Sequence, residues 1–275
     1  MSSLNDCSRL LVSAVTATAL QSVCHQNSKG TLLFKQGKCV EAVFHFKEAV
    51  HASKAFLNHY LEGVQSNTVV DTFLSFIVLP SQSAQDTNTR SFIDPSVYSK
   101  PFEIEMTLIS RHEQSLKHQM MRDDVVDGEH CLLFSRLSTI LIFNMALAHH
   151  GFAISSNGAG RWNFLSKARG LYCLAYKNLR DEQRQGLMDP LLLPLLAHAI
   201  LNNLGQCYAS LDDEKNSVAC YELLLRSIIL FQLDQKKTFS FGGRDDCSFN
   251  DPSIACFLKN TLFLILKDPG FAPAA

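Results

Sequence analysis

Charge of either sign is scarce in this chain: 25 Lys and Arg face 26 Asp and Glu across 275 residues, a formal net charge of −1. Charged residues make up 19%, below the ~25% usual in soluble domains. A phosphate-tracking protein needs a concentrated excess of Lys and Arg, so nucleic acid is set aside as a partner. Paired cysteines are also lacking. The nine cysteines are odd in number, spread along the chain and nowhere form C-x-x-C, which argues against a disulfide framework and a structural zinc site. They read as reduced, mostly buried thiols. Long apolar runs are interrupted too. Leu10 to Val23 is broken by Ser13, Thr16, Thr18 and Gln21 and is too short for a span; a targeting peptide is not the favoured reading. No membrane span follows, and a cytoplasmic protein is expected.

What is present is a repeated pattern. In the stretch 27–52, Gly30, Leu33, Gly37, Ala42, Phe46 and Ala49 follow at intervals of 3, 4, 5, 4 and 3. Small and bulky residues alternate at helical spacing on both sides of a glycine turn. A small residue in the first helix lets the second approach closely, and an aromatic ring fills the gap. A second copy reads Asn144, Ala146 and His149, then Ala168, Tyr172 and Ala175. Its turn, around Ser155–Phe164, is longer by about ten residues and rich in Gly, Ser and Asn. A third reads Asn202, Asn203, Gly205 and Tyr208, then Ser217, Tyr221 and Leu224. Gly205 to Tyr221 repeats the 16-residue step from Gly30 to Phe46, while Asp212 replaces the turn glycine.

These residues resemble the tetratricopeptide repeat. The stretched second copy, the last helix and the alanine-rich end together resemble an uncharacterised family of microalgal repeat proteins, a likeness that brings no activity with it. The resemblance implies an all-α solenoid of about three helical hairpins: repeat 1 over 20–57, repeat 2 over 131–182 and repeat 3 over 189–233. A capping helix over 251–267 follows, with Asp251 as cap, Pro252 at the first helical position and Ile254, Phe257, Leu258, Leu262, Ile265 and Leu266 along one face. Such a cap shields the apolar face of the last repeat.

Residues 58–130 do not repeat and are read as an insertion. Val69–Leu79 is rich in Val, Phe and Ile, and Phe102, Ile104 and Met106 alternate with Glu103 and Glu105, which predicts a small β-hairpin with Pro101 holding its second strand to an edge. The stretch 80–96 would be its long loop, Ile109–Met121 a polar helix, and 234–252 a second loop.

Chemical motifs do not survive inspection. His112-Glu113 begins like a zincin helix, but residue 116 is Leu116 and His118 lies off that face. The acidic stretch from Asp123 to Glu129 has Val125 where a calcium loop needs a ligand and Phe134 where it needs a glutamate. Gly158-Ala159-Gly160 follows no strand. No metal, cofactor or catalytic residue is assigned. His149 is expected to pack and His150 to be exposed; Trp162 is expected in the stretched turn. The series Lys167, Arg169, Lys177 and Arg180 reads first as a solvated face.

In proteins of the resembled type, first helices line a concave groove that binds an extended peptide or a partner helix. Carried over by position, that places Asn27, Thr31 and Phe34 from the first copy, Asn144, Leu147 and His150 from the second, and Asn202, Asn203 and Gln206 from the third in the groove. A subgroup that grips a C-terminal carboxylate uses lysines, asparagines and an arginine; here only Asn144 matches, and Asn27, Thr31, Ala199 and Asn203 stand at the other positions without positive charge, so carboxylate-tail recognition of that type is not expected. The expected function is a non-enzymatic protein-interaction module. Two alternatives stand beside it: a thiol-dependent enzyme with an exposed low-pKa cysteine, and a structural repeat whose groove is filled by its own insertion or by the loop around Trp162.

Overall fold

The computed structural model describes residues 9–12, 14–65, 72–80, 97–110, 126–156, 158, 160–184, 192–239, 257–258 and 260–261. In chain order they form β1 (Arg9–Val12), α1 (Ala14–Lys35), α2 (Cys39–Gln65), β2 (Thr72–Pro80), β3 (Phe102–Ser110), α3 (Val126–Ser155), α4 (Gly160–Arg184), α5 (Leu192–Ser210) and α6 (Glu214–Phe239). The protein is thus predominantly helical. Each helix packs on the next, and α1, α3 and α5 also touch in succession.

The first and third hairpins are built on one rule 175 residues apart. The Phe46 ring lies against Gly30, so close that a methyl group there would sit 2.7 Å from it; Tyr221 lies against Gly205 in the same way, at 2.6 Å. Both turns close alike. Gly37 N–H donates to Phe34 O and Lys38 N–H to Leu33 O, and Asp212 N–H donates to Ala209 O and Asp213 N–H to Tyr208 O. This hydrogen-bonded C-cap needs a left-handed residue at its centre. Gly37 supplies it with φ 78°, and Asp212, the substitute, adopts φ 57°. Asp213 then starts α6 by accepting from the backbone N–H of Asn216.

The second hairpin differs from expectation. The extra residues around Ser155–Phe164 do not form a long loop: α3 runs to Ser155 and α4 starts at Gly160. The additional length has become helix at both ends, sealed by an edge-on contact of Phe152 with Phe164 at 4.4 Å between ring centres. Trp162 therefore sits in the first turn of α4, half-exposed. Helix boundaries shift elsewhere too: α2 continues to Gln65, past the expected repeat edge at 57, and α3 begins at Val126.

The insertion contributes two strands of a three-stranded antiparallel sheet in the order β1-β2-β3. Thr72 pairs with Ser110 and Pro80 with Phe102, so the two stretches expected to form a hairpin do pair. β3 lies at an edge, and β1, which the sequence pattern did not suggest, adds to the far side of β2 with Arg9 opposite Ser75. Of the expected capping helix, only 257–258 and 260–261 are described, and they are helical. The polar helix expected over Ile109–Met121 is corrected at its start, since Ile109 and Ser110 close β3, and the loop expected over 234–252 is corrected over 234–239, where α6 runs on to Phe239. The rest of both stretches, and 81–96, lie outside the described residues.

One stretch, Arg136–Ser155 in α3, is long and apolar enough to cross a membrane, but 72% of it is buried inside the protein. It is the central helix, covered on most sides by α2, α4, α5 and the insertion. His150 is buried while His149 is only half-buried, the reverse of the sequence expectation. Along α3 the half-buried positions Ser138, Ile142, Met145, His149 and Phe152 recur at 3 and 4, so the helix keeps one outward face and His149 stands on it.

Candidate functional site: an asparagine clamp on an extended strap

Val97–Ile104 forms a strap that leads into the first residues of β3 and lies across α1, α3 and α5. Its backbone is held by side-chain amides from those three helices. Asn144 of α3 accepts from Phe102 N–H at 2.9 Å and donates to Phe102 O at 2.8 Å. Asn27 of α1 also donates to Phe102 O, at 3.0 Å, and its own carbonyl accepts from Asn144 at 2.8 Å. Four residues earlier, Asn203 of α5 accepts from Tyr98 N–H at 2.8 Å and donates to Tyr98 O at 2.9 Å. A carboxamide that takes both the N–H and the C=O of one residue reproduces what a neighbouring β-strand offers. The two clamps lie four residues apart along the strap, one on α5 and one on α3.

The clamps are themselves fixed. Asn203 also donates to the Tyr172 hydroxyl at 3.1 Å and accepts from Asn202, whose carbonyl receives Asn260 at 2.7 Å from the C-terminal helical residues. All five amides are buried, where an unpaired polar group would cost about 1–3 kcal/mol. Desolvation pushes the Tyr172 hydroxyl well above its usual range, opposed by the bond from Asn203, so it stays protonated.

The strap's side chains divide by position. Val97, Tyr98, Pro101, Phe102 and Ile104 are buried, whereas Ser99, Lys100 and Glu103 are half-exposed. The Tyr98 ring lies 5.6 Å from Phe257 and 6.3 Å from Phe143, and Phe102 meets Phe143 edge-on at 5.4 Å. Pro101, which has no N–H to satisfy, fits between the two clamps. Just beyond the second clamp Glu103 pairs with Lys35 of α1 at 3.0 Å, partly open to solvent.

Eight of the nine residues expected to line an open groove are buried: Asn27, Thr31, Phe34, Asn144, Leu147, His150, Asn202 and Asn203; Gln206 is half-buried. None of the eight stands open to solvent. Asn27, Asn144 and Asn203 do bond to an extended backbone, and that backbone is the chain's own. Asn202 acts from behind by orienting Asn203, and His150 packs edge-on against Tyr172 with its Nδ1 3.7 Å from Cys207 Sγ. Tyr98 and Phe102, the gripped residues, were not singled out as site residues from sequence.

The Cys207–His150 contact does not make an activated thiol. Burial holds the Cys207 thiol far above its usual range, and it raises Cys24 and Cys39 to about 11 and Cys220 to about 12. These four are thiols, not thiolates, at neutral pH. Cys173 is the exposed one among the five described free cysteines, and its near neighbour is the Tyr208 hydroxyl at 3.7 Å. Among the described residues no group of three or more His, Cys, Asp or Glu side chains is placed to hold a metal ion. Compared with known protein families, with curated proteins and with solved structures, the chain has no match.

Proposed function

We propose that this chain is a tetratricopeptide-like solenoid acting as a non-enzymatic protein-interaction module, whose groove between α1, α3 and α5 binds extended polypeptide by its backbone. The single observation that carries the reading is the pair of clamps: Asn144 on both backbone groups of Phe102, and Asn203 on both backbone groups of Tyr98. Backbone capture by amides needs no charge on the ligand, in keeping with a near-neutral chain. The glycine–aromatic packing shared by the first and third hairpins supports the repeat architecture.

Affinity purification with the full chain and with Asn144→Ala plus Asn203→Ala tests it. The wild-type chain should recover protein partners that the double variant loses. Recovery of the same partners by both, with the variant still folded, would place the binding surface elsewhere.

A further inference from the structure

The geometry points to the strap Val97–Ile104 as a resident ligand of the groove, and hence to the class of partner the groove takes: an extended segment with two large apolar or aromatic residues four apart, followed by an acidic one. This inference rests on the groove reading above. The clamps at Tyr98 and Phe102 hold only backbone atoms, which any extended segment can supply. Selectivity falls to the two rings, seated among Phe143 and Phe257, and to the acid at Glu103 facing Lys35. Ser99 and Lys100 lie partly in solvent, so those two positions are free to vary, while the third between the anchors, Pro101, is buried.

A ligand joined to its own site competes at an effective concentration of about a millimolar, so a free segment sees only the fraction of molecules whose strap has left. Weakening the strap should therefore strengthen binding in trans. That distinguishes a displaceable ligand from a fixed piece of core.

The probe is a fluorescent synthetic peptide with the sequence of residues 96–105, titrated by anisotropy into the full chain. Tyr98→Ala plus Phe102→Ala in the chain should tighten peptide binding by about tenfold or more over wild type. Adding Asn144→Ala and Asn203→Ala should reverse that gain by at least about tenfold. If the strap variant keeps its helical circular dichroism yet binds no tighter than wild type, the displacement inference is wrong. In that case, binding that still depends on the asparagines leaves the groove reading standing. Binding indifferent to the asparagines overturns both, and no binding in any arm overturns the inference. Should the strap variant lose its helical signal, the wild-type chain decides the matter: saturating peptide must speed amide exchange at Tyr98 and Phe102, and unchanged exchange refutes displacement.

Discussion

Replacing Asn144 by Ala probes the clamp where it bears most. Its amide makes three bonds, to both backbone groups of Phe102 and to the Asn27 carbonyl, and the residue is fully buried. Removal takes the acceptor from Phe102 N–H and the donor from Asn27 Oδ1. Phe102 O keeps its bond from Asn27 at 3.0 Å. Two buried groups are thus stripped of these partners, each worth about 1–3 kcal/mol, so a loss of about 3–5 kcal/mol is expected. Asn27→Ala strips less. Phe102 O retains Asn144, and only one N–H of Asn144 loses its acceptor, for about 1–2 kcal/mol. The roughly 2 kcal/mol difference is measurable by urea unfolding of the full chain, followed by circular dichroism with an unchanged denaturant slope. A loss below about 1 kcal/mol for Asn144→Ala, or one no larger than for Asn27→Ala, would refute the assigned bonding.

Three further substitutions test the frame. Gly205→Ala, which would put a methyl 2.6 Å from the Tyr221 ring, should destabilise by about 1–3 kcal/mol, whereas Gly170→Ala, with open space around it on α4, should stabilise by up to about 1 kcal/mol; equal thermal shifts would undo the hairpin packing. Asp212→Gly should raise stability by about 0.5–1 kcal/mol, since glycine meets φ 57° without strain, and a lower melting temperature would count against that turn. His198, buried and 3.0 Å from the Ser227 hydroxyl, is lowered from 6.5 to about 4, chiefly by desolvation, with a bond to the Ser227 backbone opposing. Its folded value lies below the unfolded one, so the unfolded chain binds the extra proton between them. The stability this neutral histidine supports is whole above pH 6.5 and declines by up to about 1.4 kcal/mol per unit as pH falls toward 4. His198→Gln should flatten the fall in melting temperature between pH 7 and 5; an unaltered slope would show that other groups set it.

The hairpins were legible because their packing rule is local. Gly30 meets Phe46 and Gly205 meets Tyr221 across the same short step, and each contact constrains which residue types can stand there. The place of the asparagines on first helices was legible. That the insertion covers them stood among the alternatives, but the residues it uses, Tyr98 and Phe102, were not. Tyr98 is clamped from 105 residues away and Phe102 from 42, through backbone atoms that leave no side-chain pattern in the strap. The turn around Ser155–Phe164 misled because Gly, Ser and Asn suggest loop, while the Phe152–Phe164 contact holds two lengthened helices together. His149 and His150 exchange places because the outward stripe of α3 runs through Ser138, Ile142, Met145, His149 and Phe152. Burial, with Lys167 adding to it, lowers His149 to about 4.

The central claim is that each clamp holds its own residue, and residue-resolved amide exchange tests it most directly. In the wild-type chain the amides of Tyr98 and Phe102 should be protected alongside those of α3. Asn144→Ala should then speed exchange at Phe102 more than at Tyr98, and Asn203→Ala should do the opposite. Fast exchange at both amides in the wild type, or the same response to either substitution, would contradict the account.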